Sequence, residues 1–595
     1  MAVLMGLGSV MNYQFKNYTL DEWKDKAEQA LKGNTADSLS SVTYEDIILK
    51  PLYTAHDKRN PGFSGKPDYR RGIYPNGYQD QPWLIAQKIQ SDSAEKLKEK
   101  LEEALGKGQT AIALDSDRIT PAYAEVLAPY ARAYPFAIKT NIQLESVLEE
   151  FEKRVGQGDL TGYIAYDPIS VFEKPVKLEA WAETVKEAAI RQPGLRTVMI
   201  DTGIYHMKGA NAVQELAAAA ASGVLYLESL LDAGMALNDI VDKFIFTFQI
   251  GTEFFMEIAK LRAARIIWDR ITEEYGTSRE KRKMVISSET SKFTQTLFDP
   301  HVNLLRTGNQ AFAAVLGGIQ YLHVEPYDSL TGITSFSERI ARNMPLILRE
   351  EAHLDKVADP GGGSWFIEEL TEQLAEKAWA LFQKIDQQGG MLASIQSGWF
   401  LEEVEKTLTE RLSDIKARKR SIIGTNVYAN LAEDKPKPGI IKQARLSAPY
   451  EELRLKAIAL EESGVKTAVG LICFGGIKDH KPRADFVEGF LSPGGIRSVR
   501  SDVLYTLEDV IEFVEASGLD RFCVCSSNEL YNEAGLDIAK RLKENYPGVS
   551  LYLAGQPENK LDWEEAGIKG FLHAKANCYQ FLSDILSGLE VSADA

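Results

Sequence analysis

Short apolar, β-rich runs alternate with helical stretches twice along this chain, and that alternation constrains the fold more than any other feature. Between about residues 110 and 375 the runs are Thr110-Ala-Ile-Ala-Leu-Asp115, Phe136-Ala-Ile-Lys-Thr140, Gly162-Tyr-Ile-Ala-Tyr166, Thr197-Val-Met-Ile-Asp201, Phe244-Ile-Phe-Thr-Phe248, Met284-Val-Ile-Ser287 and Ile319-Gln-Tyr-Leu-His323. Runs that are apolar throughout, separated by helices, imply parallel strands covered on both faces. Their number and span predict a (β/α)8 TIM-type barrel, with one more strand upstream or downstream. A second series, Thr467–Cys473, Ser498–Ser501, Phe522–Ser526, Leu551–Ala554 and Gly570–Leu572, predicts a doubly wound, flavodoxin-like domain. Long charged helices over about 376–418 and the extended Asp434-Lys-Pro-Lys-Pro438 separate the two series. The expected divisions are an N-terminal arm at 1–43, the barrel at 44–418, a linker at 419–463 and the second domain at 464–595.

A chain of 595 residues exceeds what one hydrophobic core supports, in keeping with this division. The net charge of -17, without a dense basic stripe, argues against nucleic acid as a partner. It leaves phosphorylated small ligands open, since helix N-termini and a few basic side chains bind phosphate locally. The four cysteines, Cys473, Cys523, Cys525 and Cys578, form neither a disulfide framework nor a zinc spacing, which fits a reducing cytoplasm. Cys523 and Cys525 read as small residues of a buried strand. Residues Met1 to Met11 lack a basic leader and are too short to span a bilayer, so neither a signal peptide nor a membrane anchor is expected. Met1 and Met11 are both candidate translation starts, since Asn12 to Gly33 already reads as a complete helical arm. Phe15, Leu20, Trp23, Ala27, Ala30 and Leu31 recur at helical spacing over about 14–33, an amphipathic arm that needs a surface to cover.

Particular stretches carry more than a fold. Lys50-Pro-Leu-Tyr53, Gln81-Pro-Trp83, Tyr205-His-Met207, Asp299-Pro300 with Asn303 and Arg306-Thr307, Arg339-Ile-Ala-Arg-Asn343 and Asp359-Pro-Gly-Gly-Gly-Ser-Trp-Phe-Ile-Glu368 resemble the methylmalonyl-CoA mutase family, and the resemblance runs over nearly the whole chain. It implies a cobalamin-binding type of second domain, an adenosylcobalamin-dependent rearrangement of acyl-CoA thioesters, and CoA threaded through the barrel. The cofactor supplies the difficult chemistry in such enzymes, and the protein supplies position and protection.

The chain departs from the catalytic pattern at several points. Catalytic members carry Asp-x-His-x-x-Gly after the first strand of the cobalamin domain, the His ligating cobalt and the Asp orienting it. Here Asp479 and His480 are adjacent and Arg483 stands at the glycine position, so His480 is expected as a solvated loop residue and the loop as degenerate. Ser526, Ser527 and Gly555 match positions along the nucleotide-tail groove and are expected to serve as turn residues. At the barrel entrance the family's Arg-Pro-Trp-Thr-x-Arg-x-Tyr becomes Gln81-Pro-Trp-Leu84-Ile-Ala86-Gln-Lys88, which removes the anion-binding forks. Leu322-His323-Val-Glu325-Pro326 replaces Leu-His-Thr-Asn-Ala. Tyr205 and His206 match the active-site Tyr-His and are expected as vestiges.

The resemblance therefore implies a small, catalytically silent subunit that binds no cofactor or metal itself. It would pair as a heterodimer with a homologous catalytic large subunit that binds adenosylcobalamin and the CoA esters. The alternatives are a complete acyl-CoA mutase in its own right, favoured by Tyr205 and His206, and a scaffold or assembly protein of propionate metabolism.

Overall fold

A computed structural model describes residues 18–57, 62–115, 119–140, 144–170, 177–436 and 444–594. Met1, Met11 and Phe15, singled out above, lie outside the described residues. The arm is helical over α1 (Leu20–Ala30), where Thr19 and Glu22 form a reciprocal capping box. None of its residues is buried. An 11-residue helix is marginal in water by itself, and along its apolar stripe Trp23, Ala27 and Leu31 are half-buried while Leu20 and Ala30 are exposed.

Eight parallel strands make the first unit: β1 (Leu84–Ile85), β2 (Ile112–Asp115), β3 (Phe136–Lys139), β4 (Gly162–Tyr166), β5 (Leu195–Asp201), β6 (Phe244–Ile250), β7 (Ile286–Thr290) and β8 (Tyr321–His323). Each pairs with its sequence neighbour from β2 to β8, and β8 pairs with β1. Backbone bonds from Ala111 N to Ile85 O (3.2 Å) and from Ile89 N to Ala113 O (3.0 Å) join β1 to β2, so the sheet closes into a barrel. The extra strand is thus the upstream one, and it is only two residues long.

β6 shows why these runs carry apolar residues on both faces. Phe244, Phe246 and Phe248 pack in the shell between strands and helices, whereas Ile245 belongs to the cluster on the barrel axis. Outside, α2 (Ala212–Asp232), α3 (Phe254–Glu274) and α4 (Trp365–Gln387) pack on one another. The alanine run Ala217 to Ala221 lets α2 approach closely, and a Cβ at Gly223 would stand 2.7 Å from the Trp268 ring.

The second unit has strands β9 (Ala468–Cys473), β10 (Arg497–Arg500), β11 (Arg521–Cys525), β12 (Ser550–Ala554) and β13 (Ile568–Leu572), in the order β10-β9-β11-β12-β13. This 2-1-3-4-5 order is that of flavodoxin-like folds. Both faces are covered, one core holding Leu471, Cys473, Cys523 and Cys525, the other Ile472, Val524 and Leu553. All four cysteines are free and buried.

Helix α5 (Ala448–Glu462) falls inside the stretch expected as a linker. Its Tyr450, Leu453, Ala457 and Leu460 belong to the core of the second unit, so this part of the chain is built into that unit. The apolar spacing of an amphipathic helix is present there, but the Pro-Lys-Pro segment before it dominates the composition. Among the described residues no helix is long and apolar enough to cross a membrane.

Candidate functional site

Residues at the C-terminal ends of barrel strands surround the mouth, where barrel enzymes keep their chemistry. In this chain those positions are filled by charges that satisfy one another. Lys88, just past β1, places Nζ 2.7 Å from Glu289 of β7. The other Glu289 oxygen accepts Gln249 Nε2 of β6 at 3.0 Å. Lys139 of β3 pairs with Asp201 of β5. His323 of β8 accepts the Lys88 amide on Nδ1 at 3.3 Å, which leaves its Nε2 hydrogen facing Glu325 at 3.4 Å. Glu325 in turn pairs with Lys292 at 3.1 Å.

The ring thus sets three lysines against three carboxylates. Burial alone would raise the carboxyl pKa values, yet the cations outweigh it. Lys88 holds Glu289 at about 2, and the His323 hydrogen bond together with Lys292 holds Glu325 at about 2. Asp201 keeps Lys139 charged, with its pKa above the usual lysine value.

Beneath the ring the barrel axis is occupied. Tyr163, Met199, Ile245 and Tyr321 are buried there among Ala86, Ala113, Ala137 and Ala165. The Tyr163 and Tyr321 rings meet edge-on at 5.1 Å, and the Tyr163 hydroxyl reaches Ser287 Oγ at 3.2 Å. A CoA chain threaded along the axis would have to displace these side chains. Trp83 is fully buried against Tyr78, with ring centroids 4.7 Å apart, a packing residue.

Tyr205 and His206 stand on the one-turn helix Gly203–His206 that follows β5. Both are buried. Tyr205 packs edge-on against Phe400 at 5.3 Å, and burial pushes its phenol well above the usual range. His206 has both ring nitrogens engaged: Nδ1 lies 2.8 Å from Glu215 and Nε2 lies 2.8 Å from Ser291 Oγ. Glu215 also meets Lys260 at 3.1 Å, and Lys260 meets Glu257 at 2.7 Å. Burial would raise the Glu215 pKa, but Lys260 and then His206 outweigh it, and it lies below the usual value. With neither nitrogen free, His206 has no hydrogen bond left for a thioester carbonyl.

In the second unit the expected degenerate loop is a helix. The chain turns at Gly475, whose φ is +88°, and α6 (Ile477–Leu491) begins after Gly476. Asp479 caps it, its carboxylate accepting the Gly476 amide at 3.0 Å. His480 is therefore not a solvated loop residue: it sits in the first turn of α6, only 8% exposed, with Nδ1 on the Gly475 carbonyl at 3.0 Å. Arg483, one turn on, crosses the groove. Its guanidinium lies on the Tyr531 ring at 4.5 Å, bonds the Ser526 carbonyl and Asn528, and would be 3.4 Å from a Cβ at Gly555.

The groove positions themselves are engaged within the chain. Ser526 Oγ donates to the Phe474 carbonyl at 2.7 Å, Ser527 caps the turn Asn528–Leu530, and Gly555, at φ +124°, donates to the Leu572 carbonyl at 2.7 Å. A positive φ suits glycine at that turn. A histidine buried against its own loop and a groove crossed by an arginine do not fit a corrinoid. Among the described residues no group of three or more His, Cys, Asp or Glu is placed to hold a metal ion.

Sequence reasoning named Lys88, Glu325 and, at the end of its run, Asp201, but missed their partners Glu289, Lys292 and Lys139. Lys139 and Glu289 do mark strand ends in the sequence. Each pairs with a residue two strands away in the sheet, which carries no local signal.

A sequence model of the methylmalonyl-CoA mutase family matches residues 42–124 and 149–459. The chain is 31% identical to the methylmalonyl-CoA mutase small subunit of Streptomyces virginiae, over 94% of this chain and 96% of that one. It is 28% identical to the small subunit of Porphyromonas gingivalis, over 96% and 97%. To the methylmalonyl-CoA mutase of Cereibacter sphaeroides it is 32% identical, over 70% of this chain and 65% of the relative.

Proposed function

The chain belongs to the methylmalonyl-CoA mutase family, and we propose from this premise that it is the small subunit of an adenosylcobalamin-dependent mutase interconverting methylmalonyl-CoA and succinyl-CoA. It is itself catalytically silent and stabilises a homologous large subunit, with which it forms a heterodimer. The large subunit binds the corrinoid and the acyl-CoA, and the complex works in the cytoplasm. The division into 1–43, 44–418, 419–463 and 464–595 belongs to this reading as well, with α5 counted with the second unit.

One observation carries the proposal: the positions where a barrel enzyme would hold substrate are spent on the ring of Lys88, Lys139, Asp201, Glu289, Glu325 and Lys292. Chemistry at a mouth needs several convergent polar groups with capacity left for substrate. Full-length relatives named as small subunits add independent support. A complete mutase is the second reading, favoured by Tyr205 and His206, whose Nε2 could turn to substrate if Ser291 released it.

Recovery of the tagged chain from native extract, followed by mass spectrometry and a mutase assay of each fraction, tests the proposal. The expected result is a near-stoichiometric larger homologue, with activity only in fractions holding both chains. Turnover by the chain alone would establish the second reading, and recovery without a homologue would remove the heterodimer.

A further inference from the structure

His206 is the residue that the mutase resemblance would assign to substrate, yet its surroundings tie it to the other end of the molecule. Its Nδ1 faces Glu215, so in the neutral ring Nε2 accepts the Ser291 hydroxyl hydrogen at 2.8 Å. Ser291 Oγ is also the acceptor for the Phe293 amide at 3.0 Å, which fixes the turn just past β7. The Phe293 ring stands nearly perpendicular to the imidazole, with centroids 5.7 Å apart.

From that turn the chain runs as a strap along the second unit. The Phe293 carbonyl accepts the Leu446 amide at 3.1 Å, and the Gln295 carbonyl accepts Ser447 Oγ at 3.0 Å. The Leu297 amide donates to Glu451 at 2.6 Å, and the Phe298 ring lies 3.7 Å under the Arg454 guanidinium. Leu297 and Phe298 pack with Leu455 and Ile458 of α5, whose inner face belongs to the second core. Arg445 and Glu451, both buried, pair at 2.6 Å and close the junction.

We propose that His206 is a positioning residue for the second unit. Through Ser291 it holds the strap 291–298 in the shape that receives α5, and the buried line Glu257, Lys260, Glu215 and His206 anchors that strap in the barrel wall. The inference stands on the strap geometry and is independent of whether the chain is a silent subunit.

Hydrogen–deuterium exchange of the full-length chain tests it. His206→Ala should speed exchange in 291–298 and 445–458 tenfold or more, with 119–140 and 144–155 on the far side of the barrel unchanged. His206→Gln, whose amide can still reach Ser291, should restore most of the protection, and His206→Leu, of similar volume but without a polar atom, should not. Where His206→Ala does not fold, Ser291→Ala leaves the His206–Glu215 pair in place and decides the matter with the same expected pattern. Unchanged exchange at 445–458 in Ser291→Ala, or faster exchange confined to 203–215, would overturn the proposal.

Discussion

The guanidinium of Arg483 lies 4.5 Å from the centre of the Tyr531 ring, between the end of β11 and Gly555. One side chain thereby fills the groove that a cobalamin tail would need. The isolated chain should stay colourless after mixing with adenosylcobalamin and desalting. Arg483→Ala should lower stability by about 1–3 kcal/mol, from the lost cation–π contact and hydrogen bonds. It should still give no histidine-ligated visible spectrum, because His480 remains in α6. A stoichiometric retained chromophore in either protein would contradict the reading of this domain.

Catalysis should depend on the partner. In the assembled complex His206→Ala should change turnover by no more than a few fold when compared at full assembly, since the mouth of this barrel is already committed to its own ion pairs. A hundredfold loss of rate, about 2.7 kcal/mol of transition-state stabilisation, would show that this chain handles substrate.

Acid should weaken the mouth before it weakens most of the molecule. The folded-state pKa of Glu289 and of Glu325 is lowered from 4.5 to about 2. Their contribution is therefore complete above about pH 4.5 and is lost as pH falls through 2, roughly 3 kcal/mol each at most. Asp167 runs the other way: burial pushes it from 3.8 up to about 7, so it costs stability as pH rises through that interval. Denaturant midpoints between pH 2 and 8 should show the acid slope, and Glu289→Gln should flatten its part of it. An unchanged slope in Glu289→Gln would mean the Lys88 pair carries no such coupling.

The arm should act between chains. Since α1 buries none of its residues on this chain, deleting residues 12–33 should change the stability of the isolated chain by no more than about 0.5 kcal/mol. Partner affinity should fall instead, by about 25 cal/mol for each Å² of apolar surface no longer covered. Sedimentation with the large subunit and thermal melting of the chain alone separate the two. A lower melting temperature with an unchanged dissociation constant would place the arm on its own barrel.

Most strands were legible because parallel strands covered on two faces favour apolar residues pointing both ways, as at Phe244, Ile245, Phe246 and Phe248. Leu84–Ile85 was not, since two residues carry no period. At the mouth the charged strand ends could be read off the sequence, but Lys139 and Asp201 are 62 residues apart and meet only because β4 pairs with both of their strands. His480 reads as a loop residue because the comparison with a ligand loop governs that stretch. The spacing of Gly476 and Asp479, three residues apart, already held the signature of a helix start. The engagement of His206 with Ser291, 85 residues away, had no local signal at all.

The balanced ring at the barrel mouth also bears on history. Restoring an open, substrate-binding mouth requires that Lys88, Glu289, Lys139 and Asp201 be replaced, and no single change does this without stranding a charge. Breaking one member of a buried pair costs about 3–5 kcal/mol, a large part of what holds a domain folded. Every one-step path back toward catalysis therefore crosses a valley of poorly folded intermediates. The ion pairs act as a ratchet: a lineage that has acquired them can drift in sequence without reopening the mouth.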